Sequence, residues 1–204
     1  MAVSKGLFNT IREEYGEYAS WAIWAENDDY TGGVEGMDVD IFQNVSMEIL
    51  SELNPNFVLL GLNWSTGRPG ILMNFHSRDS NIGKLRYAIR NSPLHGAYMT
   101  DLIKNHSEPN SKELMKYLRL NPEVEEENVR IFEKEISTLG AEKPIIIANG
   151  GNVYQILERN GLIDRYKVIK VTHYSARTPG GKAEVIHKER IMPILVKELN
   201  CNAW

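Results

Sequence analysis

The chain reads as an α/β protein built on a parallel sheet of four strands, and three observations predict it. Short apolar runs at residues 57–60 and 144–148 carry no polar alternation, as strands buried on both faces do, and residues 166–171 supply a further strand. Helical stretches separate them, so successive strands are joined by right-handed crossovers and not by hairpins. Glycine-bearing loops follow the first and last of these strands, at the sheet edge where open α/β folds bind ligands.

Each element has its own signal. Leu7, Phe8, Ile11 and Tyr15 have helical spacing, while Trp21-Ala22-Ile23-Trp24 suits either a short strand or a packed aromatic cap. Residues 26–36, with Asn27-Asp28-Asp29 and Gly32-Gly33, form a loop. Ile41, Phe42, Val45, Ile49, Leu50 and Leu53 set one amphipathic helix from Asp40, which Asn54-Pro55-Asn56 stops. The first strand, 57–60, leads to a helix that Asn81 caps and that runs to Arg90. The second strand, 96–99, ends at Thr100-Asp101. Asn110 or Ser111 caps the next helix, which reaches Leu118. Pro122 opens an acidic-fronted helix to Leu139, closed by Gly140. The third strand, 144–148, turns through Asn149-Gly150-Gly151 into a helix at 152–159; the fourth, 166–171, precedes a final helix at 188–199. The expected organisation is one domain, with a helical extension (1–53) packed on an α/β core (54–204).

Composition narrows the function. A net charge of −4 gives no global pull toward a polyanion, although a local basic patch still serves an enzyme of nucleic acid. The single Cys201 excludes, within one chain, a disulfide framework and a cysteine-ligated zinc or iron–sulfur site. No cofactor or metal is expected. No apolar run has the length of a membrane span and no basic-then-apolar leader opens the chain. The expectation is a cytoplasmic protein, without a membrane partner and monomeric by default.

Two strand-end loops carry the chemistry. After the first strand comes Gly61-Leu62-Asn63-Trp64-Ser65-Thr66-Gly67-Arg68-Pro69-Gly70; after the fourth, Thr172-His173-Tyr174-Ser175-Ala176-Arg177. Asn63 either positions a water or substrate, or closes an Asx turn. The glycines fit neither the phosphate-binding P-loop nor the dinucleotide fingerprint. Phe75 either presents an aromatic face to a ligand or plugs the core. His173 with Ser175 is a donor pair or a satisfied structural histidine; no nucleophile elbow surrounds Ser175. Asp101 reads a ligand edge or caps the following helix, and capping is the commoner role.

The order of these motifs resembles the uracil-DNA glycosylase superfamily. Gly61-Leu62-Asn63 is similar to the Gly-Ile-Asn-Pro-Gly motif of its mismatch-specific uracil/thymine branch, and His173-Tyr174-Ser175 to the His-Pro-Ser motif. Tyr98-Met99-Thr100-Asp101-Leu102 is similar to the second strand end, and Asn81-Ile82-Gly83-Lys84-Leu85 to the helix start before it. The resemblance covers roughly residues 57–177. It implies a three-layer α/β/α fold around a four-stranded parallel sheet, and a base-excising DNA glycosylase with DNA as partner. It places Asn63 on the water-positioning Asn, Phe75 on the aromatic that stacks on the flipped base, and His173 on the donor to the departing base. Gly61, Asp101 and Ser175 join the substrate site, with Arg68, Lys84, Lys104 and Arg177 facing DNA and making the cleft mouth positive. Trp64 and Tyr174 replace the prolines of the two motifs, and Asp101 stands where several members carry a uracil-reading Asn. An ionised Asp only accepts, so it favours a base edge bearing an amino group. A catalytically silent binding module for a nucleotide, nucleic acid or protein is the alternative.

Overall fold

The computed structural model describes residues 3–24, 40–64, 70–76, 80–177, 180 and 182–200. Helix α1 (Lys5–Tyr15) starts at Ser4, whose hydroxyl accepts from the Leu7 amide, and buries Phe8, Ile11 and Tyr15. Strand β1 (Ala19–Trp21) follows and takes in only the first residue of the aromatic stretch 21–24, the rest of which lies beyond the strand. The single helix expected from Asp40 is two, α2 (Asp40–Gln43) and α3 (Met47–Glu52). Ser46 divides them: its backbone is extended and its side chain caps α3 by accepting from Ile49.

Strand β2 (Asn54–Asn63) is longer than expected and absorbs the Asn-Pro-Asn read as a stop. Its pairing with the neighbouring β3 slips between Asn54 and Val58, around Pro55, which has no amide proton for a ladder. Then come α4 (Ser80–Ile89), β3 (Ala97–Ile103), α5 (Ser111–Leu120), α6 (Pro122–Thr138), β4 (Ile145–Asn149) and α7 (Gly151–Arg159). A 3-10 turn (Leu162–Asp164), β5 (Val168–Val171) and α8 (Ala183–Leu199) complete the order.

The sheet has five strands in the order β1-β3-β2-β4-β5. β2 pairs in parallel with β3 and β4, and β4 with β5; β1 runs antiparallel to β3. The expected all-parallel four-stranded sheet is therefore corrected to a mixed five-stranded one. The added strand comes from the segment read as a helical extension.

Alternation along the strands sorts side chains to two cores. Val58, Leu60 and Tyr98 join residues of α1, α5, α6 and α7, while Leu59, Met99 and Ile147 join α4 and α8. Helices thus cover both faces. Beneath β3 the first core encloses a charge: Lys104 Nζ lies 2.7 Å from Glu135 Oε2 of α6, with both side chains almost wholly enclosed. Tyr98 donates to the other Glu135 oxygen at 2.7 Å, and Lys104 also donates to Thr100 Oγ1 and to the Asp101 carbonyl. Among the described residues, no helix is long and apolar enough to cross a membrane, and no cluster of His, Cys, Asp and Glu suits a metal.

Candidate functional site

β2 lies between β3, which follows it in the chain, and β4, which comes later, so the winding reverses between β2 and β4. Ligand crevices of open α/β sheets form at such a switch point, outside the carboxyl ends of the strands. A cleft of about 480 Å³ lies there, lined among others by Asn63, Asp101, Asn149, Gly150, His173 and Tyr174. Asn63 and His173 thus share one cleft, as the loop positions suggest. Their strands are not neighbours, however: β4 stands between them.

The register builds the floor. Gly61 pairs with Asp101 across β2 and β3, and Leu60 with Ala148 across β2 and β4. Asp101, Gly61 and Asn149 therefore form a row over three strands, with side chains on the α4/α8 side. Gly61 is required by contact: a Cβ there would stand 2.1 Å from Asp101 Oδ1 and 3.1 Å from Phe75 Cζ. The Asp101 carboxylate occupies the space that any larger residue at 61 would take.

Asp101 is 4 % exposed and lies within β3, well before α5, so it is no helix cap. Burial pushes its pKa up to about 6; the Asn74 hydrogen bond and the Lys104 charge counteract that, and Glu135 adds to it. Asn74 holds three things at once. Its Nδ2 donates to Asp101 Oδ2 at 2.9 Å and to the Tyr18 carbonyl at 2.6 Å, and its Oδ1 accepts from the Phe75 amide at 3.1 Å.

Asn63 Nδ2 donates to the carbonyls of Glu108 (2.9 Å), Trp64 (3.3 Å) and His106 (3.4 Å), tying the end of β2 to the loop before α5. The residue that would close an Asx turn on Asn63, Ser65, lies outside the described residues. Three surrounding carbonyls need the NH₂ end, so the amide orientation follows from its partners and Oδ1 is left without one among the described residues. Asn149 makes a single bond of this kind: Nδ2 donates to the Leu60 carbonyl at 3.3 Å.

His173 Nδ1 accepts from the Ser175 amide at 3.1 Å and lies 2.7 Å from Ser175 Oγ. A backbone amide can only donate, so the network puts the neutral ring's proton on Nε2. Burial lowers the His173 pKa, which keeps the ring neutral at physiological pH. Nε2–H has no partner among the described residues, so the neutral ring, held through Nδ1 by Ser175, keeps one hydrogen-bond donor for the cleft. Gly150, at φ +96°, lets the backbone pass close by, since a Cβ there would stand 3.2 Å from His173 Cβ.

The aromatics are divided differently from expectation. Phe75, at φ +63° and 5 % exposed, belongs to the α4/α8 core and does not line the cleft. Tyr174 does, stacked on His173 at 4.2 Å and met edge-on by Phe75 at 6.5 Å. The cationic mouth is also reduced. Lys104 is buried against Glu135 on the opposite core, which withdraws it from any DNA contact. Lys84 is half-buried and donates to Asn81 Oδ1 at 3.0 Å, at the cleft rim; Arg177 is exposed. Arg68 and Cys201 lie outside the described residues.

Sequence reasoning missed Asn74 and Asn149. Asn74 sits in a loop without periodicity, and Asn149 was legible only as part of a Gly-Gly turn; its place at a strand's carboxyl end was the available signal. The chain matches no model of a known protein family, no curated protein and no solved structure.

Proposed function

We propose that this cleft hydrolyses the N-glycosidic bond of a nucleotide turned out of a DNA strand, on a three-layer fold of the uracil-DNA glycosylase kind. The observation that carries the reading is a pair of groups lining one cleft, an acceptor, Asn63 Oδ1, and a neutral donor, His173 Nε2–H, neither with a partner among the described residues. Asn63 Oδ1 accepts from a water and directs its oxygen at the anomeric carbon as that carbon gains oxocarbenium character. The C–N bond breaks with its electron pair passing to the base, and the water's oxygen bonds to the sugar. The base anion is held by His173 Nε2–H and takes up the proton that the water releases. A preorganised donor of this type contributes roughly a hundred- to thousandfold in rate. Tyr174 walls the base, with Phe75 supporting it edge-on. Flipping costs a few kcal/mol, least for mispaired or damaged bases.

The test is single-turnover excision from oligonucleotides carrying uracil, hypoxanthine, xanthine, ethenocytosine and mismatched thymine. Asn63→Ala and His173→Ala should each slow it by roughly ten- to a thousandfold. His173→Ala should leave the unfolding midpoint in place, whereas Asn63→Ala, which also removes the donor to three loop carbonyls, should lower it. No excision of any lesion by the wild-type chain would overturn the reading.

A second reading, a module that binds a small nucleoside without chemistry, is favoured by charge. Among the described residues, the charged side chains lining the cleft are Asp101 and Glu108, both carboxylates. Binding that does not weaken with salt separates this reading from DNA binding, whose affinity falls steeply as counterions compete.

A further inference from the structure

We infer that Asn74 is a positioning residue of this cleft: it keeps Asp101 an ionised acceptor, so that the site takes a ligand bringing an N–H to Asp101 Oδ1. The inference rests on the proposed nucleoside site and adds what its floor selects.

The direction of the Asn74 bonds is fixed by chemistry. Its Oδ1 accepts from the Phe75 amide, which can only donate, so the NH₂ end faces the Tyr18 carbonyl and Asp101 Oδ2. Both amide protons and the oxygen are thereby engaged. Asp101 keeps one committed oxygen and one open one. Oδ1 has no partner among the described residues, and it is not among the buried polar atoms sealed without one. The residue lines the cleft, so a donor on a ligand meets Oδ1 there.

The backbone is strained to deliver that amide. Asn74 lies between Leu72 and Phe75, which are left-handed at φ +58° and +63° and both buried. Such conformations persist only where the surroundings over-determine them. The first segment of the chain does so. The Leu72 amide donates to the Gly16 carbonyl and the Leu72 carbonyl accepts from Ser20 Oγ, each at 2.7 Å. The Trp24 indole N–H holds the Phe75 carbonyl at 3.2 Å.

Around the Asp101 carboxyl, burial and Glu135 of α6 favour the neutral acid, while Asn74 and Lys104 favour the carboxylate. On the cleft side the other titratable side chains are Glu108 and the neutral His173. Lys104 spends its hydrogen bond on the Asp101 main-chain carbonyl, so among the described residues Asn74 alone bonds the carboxylate oxygens. Ionised, the group only accepts; protonated, it also donates and no longer turns away a ligand carbonyl.

The experiment follows the Asp101 carboxyl of the full chain by carbon-13 NMR across pH, with Asp101→Asn identifying its signal. Wild type should titrate at about 6. Asn74→Ala should move the midpoint up by about one pH unit, the scale of a hydrogen bond to a charged group. Calorimetry reads the ligand side with deoxycytidine, whose amino group is the one donor on its base edge, and with the same nucleoside lacking that group. Wild type should prefer deoxycytidine by at least about tenfold at pH 8.5. Asn74→Ala should bind it as wild type does at that pH and about threefold more weakly at pH 6.5, where less of its carboxyl is ionised. An unmoved midpoint assigns Asn74 a merely structural role and overturns the inference, as does equal binding of the two nucleosides or binding of neither. Should Asn74→Ala not fold, wild type still decides: its preference should shrink between pH 8.5 and pH 5, and a preference that ignores pH overturns the inference. Excision is not read, so an inactive chain with these titrations defeats the hydrolase alone, and an active chain without them defeats the inference alone.

Discussion

Asp101 keeps a carboxyl group where water hardly reaches, and the protein carries that cost as a pH dependence. Its pKa rises from 3.8 to about 6 on folding, chiefly through burial. Between those values the native state binds more protons than the unfolded chain, so stability falls as pH rises through the window and is level above it. A shift of this size corresponds to about 3 kcal/mol. Asp101→Asn removes the titration while keeping a group that Asn74 can bond. The variant should therefore exceed wild type in urea denaturation at pH 8, with the advantage shrinking toward zero at pH 4. Parallel stability profiles for the two chains would show that the carboxyl is not desolvated. At this scale the sequence was legible for placement, as with Asn63 and His173, which were read at the ends of strands and line one cleft there. It was misleading where local spacing suggested a commoner job. Asp101 looked like a cap because nothing in its neighbours announces that Gly61 and Asn74, far off in the chain, fold around it.

Lys104 makes the same point for elements. A lysine just past a strand reads as a surface cation, and only the packing of α6 against β3 gives it Glu135 as a partner, with neither side chain reaching solvent. Removing one member leaves the other charge stranded, which costs roughly 3–5 kcal/mol, whereas neutralising both is far milder. Lys104→Met should thus be strongly destabilising in chemical denaturation. The double variant Lys104→Met/Glu135→Gln should recover most of the loss, since Gln still accepts from Tyr98. Additive losses would mean that the two charges are not coupled. Long amphipathic elements such as α6 were readable to within a residue or so, because Pro122 and Gly140 punctuate them. The α2–α3 break was not: the apolar spacing runs on through Ser46, and the local capping bond decides against a continuous helix.

Over the whole molecule, the alternation of strand and helix made the parallel core visible, but strand order is a matter of distant pairing that periodicity does not encode. β1 is three residues long, too short for any pattern, and it closes the edge of β3. Its Trp21 is fully buried and meets Tyr98 edge-on at 5.0 Å, and Phe8 and Ile11 of α1 lie in the same core. A chain starting at residue 40 should therefore lose cooperative unfolding and aggregate through the bared strand; a soluble truncated chain with a sharp unfolding transition would show that the first segment is dispensable. The same segment reaches the cleft from behind. Trp24 donates its indole N–H to the Phe75 carbonyl at 3.2 Å, and the neighbouring Asn74 holds the Asp101 carboxylate. Indole emission responds to its hydrogen bond, so the protein carries its own fluorophore wired to the floor of the cleft. Filling the cavity, or protonating Asp101, should therefore shift tryptophan emission, and Trp24→Phe should abolish the shift if this indole reports it.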